Sequence, residues 1–281
     1  MSTSQPLLWT QPGWVAEAQA WITTELNHQN IHVSGEFDQF HIRPWSTLFR
    51  IPSSQGDVYF KAVVPALAYE AALTQILSKY QPEPMPRLLA VDTARGWLLM
   101  ADGGKRLRET FAGGENRHLW MEVLSRYANF QKGVFSHVDE LIYAGVPDRS
   151  CAQLPAIFDE LLASKEALCL DQPNGLALTE YQELIGHREK VIRLSKELAT
   201  SGIPESIDHG DFHDGNILVQ NGKILFFDWG DSGVTHPFFS HAPCSSVWRI
   251  LSDWKNTPPN LNHFGMPISN PGRGLPRGRS C

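Results

Sequence analysis

Residues 209–216 read His-Gly-Asp-Phe-His-Asp-Gly-Asn, and Asp228-Trp229-Gly230 begins twelve residues after that asparagine. Far upstream, Lys61 stands inside the apolar run Val58-Tyr59-Phe60-Lys61-Ala62-Val63, with Glu70 nine residues beyond it. These residue types suit phosphoryl transfer, a reaction that asks a protein for positioning and charge neutralisation more than for covalent help. Asp211 can face an alcohol and accept or orient its proton. Asn216 and Asp228 offer an amide oxygen and a carboxylate, enough protein for a magnesium ion that keeps several of its waters. Lys61 offers an ammonium for phosphate oxygens, and Glu70 is the partner such a lysine needs among apolar neighbours. Asp228 follows Ile224-Leu225-Phe226-Phe227, so it too needs a partner or a metal.

Groups so distant in sequence must be gathered by the elements that carry them. Residues 14–28 predict an amphipathic helix, with Trp14, Val15, Ala18, Trp21, Ile22 and Leu26 on one stripe. Residues 44–51 and 57–64 are rich in β-branched and aromatic side chains and are separated by Pro-Ser-Ser-Gln-Gly, which predicts a hairpin with Lys61 on its second strand. An earlier strand is expected near residues 31–33. Pro65 can open a helix, and residues 66–79 continue it with Glu70 inside. Short strands are expected at 87–91 and 97–100. Ala101-Asp102-Gly103-Gly104 then breaks the pattern and reads as a link between two lobes. Residues 117–134, 152–164 and 179–199 read as helices, and 207–217 as a polar loop. Strands at 217–220 and 223–229 flank Asn221-Gly222, a strong hairpin signal. No internal repeat is visible.

The spacing H-x-D-x-x-x-x-N would arise by chance in about one chain in a hundred of this length. The joint pattern is far more specific. Strand lysine, helix glutamate, polar loop and Asp-Trp-Gly occur in the order that kinases use, the last standing where those enzymes carry Asp-Phe-Gly. The stretch IDHGDFHDGNILVQNGKILFFDWGDS resembles the catalytic segment of the aminoglycoside phosphotransferase family, whose relatives include choline and homoserine kinases; protein kinases differ by an arginine after the histidine. VYFKAV and YEAALTQIL are similar to the N-lobe of the same fold. The resemblance spans roughly residues 14–240. It implies an α+β, two-lobed protein-kinase-like fold, with an antiparallel-sheet N-lobe and a mainly helical C-lobe. Residues 1–101 would form the nucleotide-binding lobe, 102–256 the catalytic lobe and 257–281 a disordered tail. The resemblance also implies ATP and Mg2+ as cofactors. Asp211 would be the catalytic base, Asn216 and Asp228 the magnesium ligands, Lys61 with Glu70 the phosphate anchor, and Asp102 with its neighbours the hinge beside the adenine. The implied activity moves the γ-phosphate of ATP to a hydroxyl of a small molecule, aminoglycoside-like or amino-alcohol-like.

Two features depart from the family's pattern. No G-x-G-x-x-G loop lies between the first strands; SGEFDQFHIRPWS holds only Gly35. Family members continue with further helices after the aspartate hairpin, whereas here residues 236–256 read as one helix before a Pro-, Gly- and Asn-rich tail, so the chain reads as a truncated member. These departures motivate a second expectation, a catalytically inactive nucleotide- or partner-binding member of the fold. A metal-dependent phosphoesterase would need further D-x-H and G-N-H segments; D-x-H occurs only at Asp211–His213 and G-N-H nowhere. His209, His213 and Asp214 are expected to support the loop, and Asp231 to stand behind the metal ligands.

Composition bounds the partners. The 281 residues, 42% hydrophobic and 19% charged, suit a soluble globular chain with a sizeable core. A net charge of −6 argues against nucleic acid. It is compatible with a cationic substrate, but solubility alone accounts for it. The basic stretch from Arg273 to Arg279 reads as a solvated tail. No apolar run of about 18 residues predicts a membrane span, and no secretory leader is legible. Four scattered cysteines without zinc or C-x-x-C spacing point to a reducing cytoplasm. The acceptor's identity and the oligomeric state have no signature in the sequence.

Overall fold

The computed structural model describes residues 7–110, 117–173 and 175–241. Pro237–His241 forms a short 3-10 turn; the rest of the helix predicted over 236–256, and the tail, lie outside the described residues. Among the described residues, those up to Cys151 together with 198–241 form one compact unit, and Ala152–Glu197 belongs to a second.

The first unit opens with α1 (Pro12–His28). Pro12 occupies the first turn, where its missing N–H costs nothing. Ala18, Ile22 and Leu26, four residues apart, form the buried stripe. That stripe shares a core with β2 (Ser46–Ser53), β3 (Gly56–Val63) and β5 (Trp97–Ala101), through Phe49, Ile51, Val58, Phe60, Ala62, Trp97 and Leu99. With β1 (Asp38–Ile42) and β4 (Leu88–Asp92) these strands make one antiparallel sheet in the order β1-β2-β3-β5-β4. Alternation along β3 sends Val58, Phe60 and Ala62 into the core and turns Tyr59 and Lys61 to the opposite face. Trp14 and Trp21 pack in T-shaped contact with Trp97, ring centroids 5.6 and 5.5 Å apart.

Three expectations are corrected here. The strand expected at 31–33 is only an isolated bridge, Val33 to Ser53; the first true strand is β1. Its period-2 signal is hidden by a bulge, because Asp38 pairs with Arg50 and His41 with Leu48, three residues against two. The helix expected from residue 66 starts as a 3-10 turn over Pro65–Leu67, and α2 (Tyr69–Tyr80) begins after it. The helix expected over 179–199 is two, α6 (Leu178–Gly186) and α7 (Arg188–Ala199). Gly186 favours the break, and the His187 N–H closes a tight turn onto the Leu184 carbonyl.

After β5 the link feeds β6 (Lys105–Arg106), which pairs with β8 (Ile217–Gln220), itself paired with β9 (Lys223–Phe226). A second short ladder, β7 (Ser206–Asp208) with β10 (Gly233–Thr235), brackets this hairpin from outside. Residues 209–232 are thus held at both ends. Behind them lies α3 (Arg117–Val134), which buries Trp120, Val123, Tyr127, Phe130 and Val134 at helical spacing; α4 (Val138–Tyr143) follows.

The second unit holds α5 (Leu154–Ala163), α6 and most of α7. Within it Arg188 grips Asp159 through two hydrogen bonds of 2.7 Å, and the Tyr181 hydroxyl donates to the Leu162 carbonyl at 2.8 Å. No helix among the described residues is long and apolar enough to cross a membrane.

Candidate active site

Lys61 sits in a row of paired residues, His41, Leu48, Lys61 and Leu98, across four strands. Its Nζ donates to Glu70 Oε1 at 2.6 Å and to Asp228 Oδ1 at 2.5 Å. Lys61 and Glu70 are nearly sealed, with side chains 9% and 2% accessible, while Asp228 is 46% accessible. Burial alone would lower the Lys61 pKa, yet the charges of Glu70 and Asp228 outweigh it and hold it above its ordinary value. Burial raises Glu70 above the usual carboxylate range even against the charge of Lys61. For Asp228 the balance reverses: burial pushes its carboxyl up, but Lys61 holds it below its ordinary value. Both carboxylates therefore share one buried cation, and Asp228 is its open side.

Asp228 is reached through the hairpin. β9 ends at Phe226, and the Phe227 N–H donates to the Asn216 carbonyl at 3.3 Å, so Asn216 and Asp228 stand at the same open end. Asp228 has a φ of 68°, a left-handed conformation rare outside glycine and typical of functional turns. The Tyr69 hydroxyl holds this turn from α2 by donating to the Gly230 carbonyl at 2.5 Å.

The polar loop is fixed from below. The His209 ring donates from Nε2 to the Phe227 carbonyl at 2.8 Å, and its backbone N–H donates to the Tyr127 hydroxyl at 3.0 Å. Tyr127, Phe212 and Phe226 pack together, with centroids 4.2 to 5.8 Å apart. Gly210 has a φ of +77°, and a Cβ there would meet the Asp231 carbonyl oxygen at 2.1 Å, so only glycine fits. Asn216 Nδ2 donates to both the Asp211 carbonyl and Asp211 Oδ2 at 3.0 Å. Because the amide is planar, its oxygen is turned away from Asp211. That oxygen and the Asp228 carboxylate are both hard donors of the kind magnesium accepts.

Burial lowers the His209 pKa below its ordinary value. The folded chain therefore resists a proton that the unfolded chain accepts. Stability contributed by neutral His209 is intact above about pH 6.5 and is lost as the pH falls below that value. Thermal unfolding should show Tm falling from about pH 7.5 to about pH 5.5, with a shallower fall in His209→Asn. A Tm that stays level in the parent protein would contradict this.

Lys61, Glu70, Asp102 and Asp228 all line one cavity of about 270 Å³. Asn216 and Asp211 do not line that cavity; Asn216 is tied to the chain before Asp228 by the Phe227 N–H, and Asp211, 49% accessible, lies on the loop bonded to Asn216. Asp102 is tied locally: its Oδ1 accepts from the Gly104 N–H at 2.9 Å, its carbonyl accepts from Gln220 Nε2 at 2.8 Å, and its N–H donates to Asp57 at 3.1 Å. Sequence reasoning missed Tyr69, which anchors the turn, and Arg106, which lines the cavity. A tyrosine at a helix start and an arginine on a two-residue strand carry no periodic signal.

Comparison with known proteins bears on the fold and the family. The model of the phosphotransferase enzyme family matches residues 30–254. No curated protein sequence matches the chain. Plasmodium vivax ethanolamine kinase aligns with a TM-score of 0.53 at 13% identity, covering 85% of this chain and 70% of that one. The GDP and kanamycin complex of APH(2")-IIia aligns with a TM-score of 0.52 at 14% identity, covering 85% of this chain and 82% of that one. At such identities the likeness shows the fold: a mixed antiparallel sheet and helices of the protein-kinase-like kind, as the motifs implied. Together with the family match across most of its length, it establishes that the chain belongs to the phosphotransferase enzyme family.

Proposed function

We propose that the protein is a Mg2+- and ATP-dependent kinase that transfers the γ-phosphate to a hydroxyl of a small molecule, aminoglycoside-like or amino-alcohol-like. One observation carries this reading: Lys61, pinned between Glu70 and Asp228, lines one cavity with Asp228, and the chain just before Asp228 is hydrogen-bonded to Asn216, which in turn holds Asp211. Lys61 binds α- and β-phosphate oxygens, and Glu70 keeps its ammonium in place. Asn216 and Asp228 hold magnesium, which when bound neutralises phosphate charge. Asp211 orients the acceptor's hydroxyl and receives its proton on a carboxylate oxygen. The link around Asp102 lies beside the base. The fold neighbours named above, one an ethanolamine kinase and one a complex with kanamycin and GDP, motivate the acceptor class and a nucleotide donor.

The test is transfer of label from γ-labelled ATP, with GTP run beside it, to a panel of aminoglycosides and amino alcohols. Labelled product that disappears on magnesium chelation is the expected result. The turn between β1 and β2, Arg43-Pro44-Trp45, contains no glycine and favours the inactive alternative. Nucleotide binding in a thermal-shift assay without transfer to any acceptor would support that alternative. Neither binding nor transfer would remove the kinase reading and leave only the partner-binding form of the alternative.

A further inference from the structure

We infer that Arg108 and His213 form a positioning relay that holds the Asp211 carboxylate by one oxygen and leaves the other for the acceptor. The inference rests on the kinase reading above but goes beyond it, assigning a task to two residues outside the expected machinery. His213 Nδ1 faces two donors, the Gly215 backbone N–H at 2.8 Å and Arg108 Nη2 at 3.1 Å. Neither can accept a hydrogen bond, so Nδ1 carries the lone pair. The ring proton then sits on Nε2, which lies 3.3 Å from Asp211 Oδ2. That same oxygen accepts from Asn216 Nδ2. With the Asn216 hydrogen bond on Oδ2 and the polar Nε2–H in contact with the same oxygen, rotation of an otherwise half-exposed carboxylate is restrained, and Oδ1 is the oxygen left for a hydroxyl proton.

Arg108 is itself fixed. Its Nη2 lies 2.8 Å from Asp214 Oδ1, and its backbone N–H donates to the Asp214 carbonyl at 3.3 Å. It stands on the 3-10 turn Leu107–Thr110, directly after β6, whose pairing with β8 ties the turn to the catalytic hairpin. Gly215 makes the approach possible. A Cβ there would sit 2.1 Å from Arg108 Nη2 and 2.6 Å from His213 Cε1. Arg108, His213 and Asp214 are 47%, 41% and 31% accessible, so the ion pair adds little stability. Its consequence is orientation: a guanidinium and a backbone N–H on one ring nitrogen select the tautomer that donates from the other.

His213→Ala should lower kcat by about 10–100-fold while changing the KM for ATP by less than about twofold. His213→Gln should recover most of that loss, because its amide can accept from Gly215 and donate to Asp211. Arg108→Ala should lower kcat by about tenfold, and Arg108→Ala/His213→Ala should be no worse than His213→Ala, since the two act through one oxygen. Equal losses in His213→Ala and His213→Gln, a change confined to KM, or multiplied losses in the double variant would overturn the relay. A second measurement is independent of turnover. Nitrogen-15 spectra of the histidines in the intact chain, assigned with His213→Gln, should show the His213 tautomer with its proton at Nε2, and a mixture of tautomers in Arg108→Ala. A proton on Nδ1 in the parent protein would sink the relay even if transfer is robust. The expected spectrum in a chain without transfer would keep the relay's geometry and sink the kinase reading instead.

Discussion

Asp211→Asn is expected to lower phosphate transfer by about 10²–10⁴-fold and to leave nucleotide affinity within about twofold. The side chains are nearly the same size, so the loop should keep its shape. The difference lies in hydrogen-bond polarity. Asn216 Nδ2 and His213 Nε2 both lie within reach of Asp211 Oδ2, and they must be met by an acceptor. An asparagine at 211 would therefore turn its oxygen toward them and present its NH2 to the substrate. The acceptor's hydroxyl would meet a donor where it needs somewhere to send its proton. Steady-state kinetics with calorimetric titration of Mg-ATP would measure both quantities. Transfer within about tenfold of the parent, or a parallel collapse of nucleotide binding, would show that Asp211 does not hold the role assigned to it.

Lys61→Met should remove transfer by roughly 10²-fold or more, since a preorganised cation for phosphate oxygens is lost. It should also destabilise the fold by about 3–5 kcal/mol. The second effect comes from Glu70, whose side chain is 2% accessible and whose Oε1 would lose the ammonium 2.6 Å away. A buried carboxylate without its cation is costly, while two neutral groups of similar shape are not. Lys61→Met/Glu70→Leu should therefore recover most of the lost stability and none of the activity. The penalty in the single variant should also be smaller at about pH 5 than at about pH 8. Burial already raises the Glu70 pKa, and without Lys61 only the Trp229 backbone N–H still opposes protonation, which discharges the group as the pH falls. Urea unfolding of the three proteins at both pH values measures this. A double variant as unstable as Lys61→Met would mean that the loss is not electrostatic.

These two variants test residues whose types and order were legible before any coordinates. Lys61 could be placed on a strand because Val58, Phe60 and Ala62 alternate with it and the turn chemistry before them is local. Glu70 could be placed on the next helix for a similar reason. The hairpin at 217–226 was legible from Asn221-Gly222 between two apolar runs. What escaped was short, irregular or distant. β7 and β10 are three residues each and gain meaning only from each other. β1 is disguised by its bulge, which shifts the side-chain alternation by one.

Local chemistry in the sequence determined the elements, the order of the charged and amide groups along them, and the family, because periodicity and turn residues act within a few positions. Tertiary structure decided which atoms meet. The Lys61 ammonium reaches Asp228 across 167 positions, and Arg108 reaches His213 across 105. Which oxygen of Asp211 is held and which is left for a substrate follows from those meetings. Such pairings depend on strand register and on the space left by a missing Cβ at Gly215, and neither is written in the pattern of neighbouring residues.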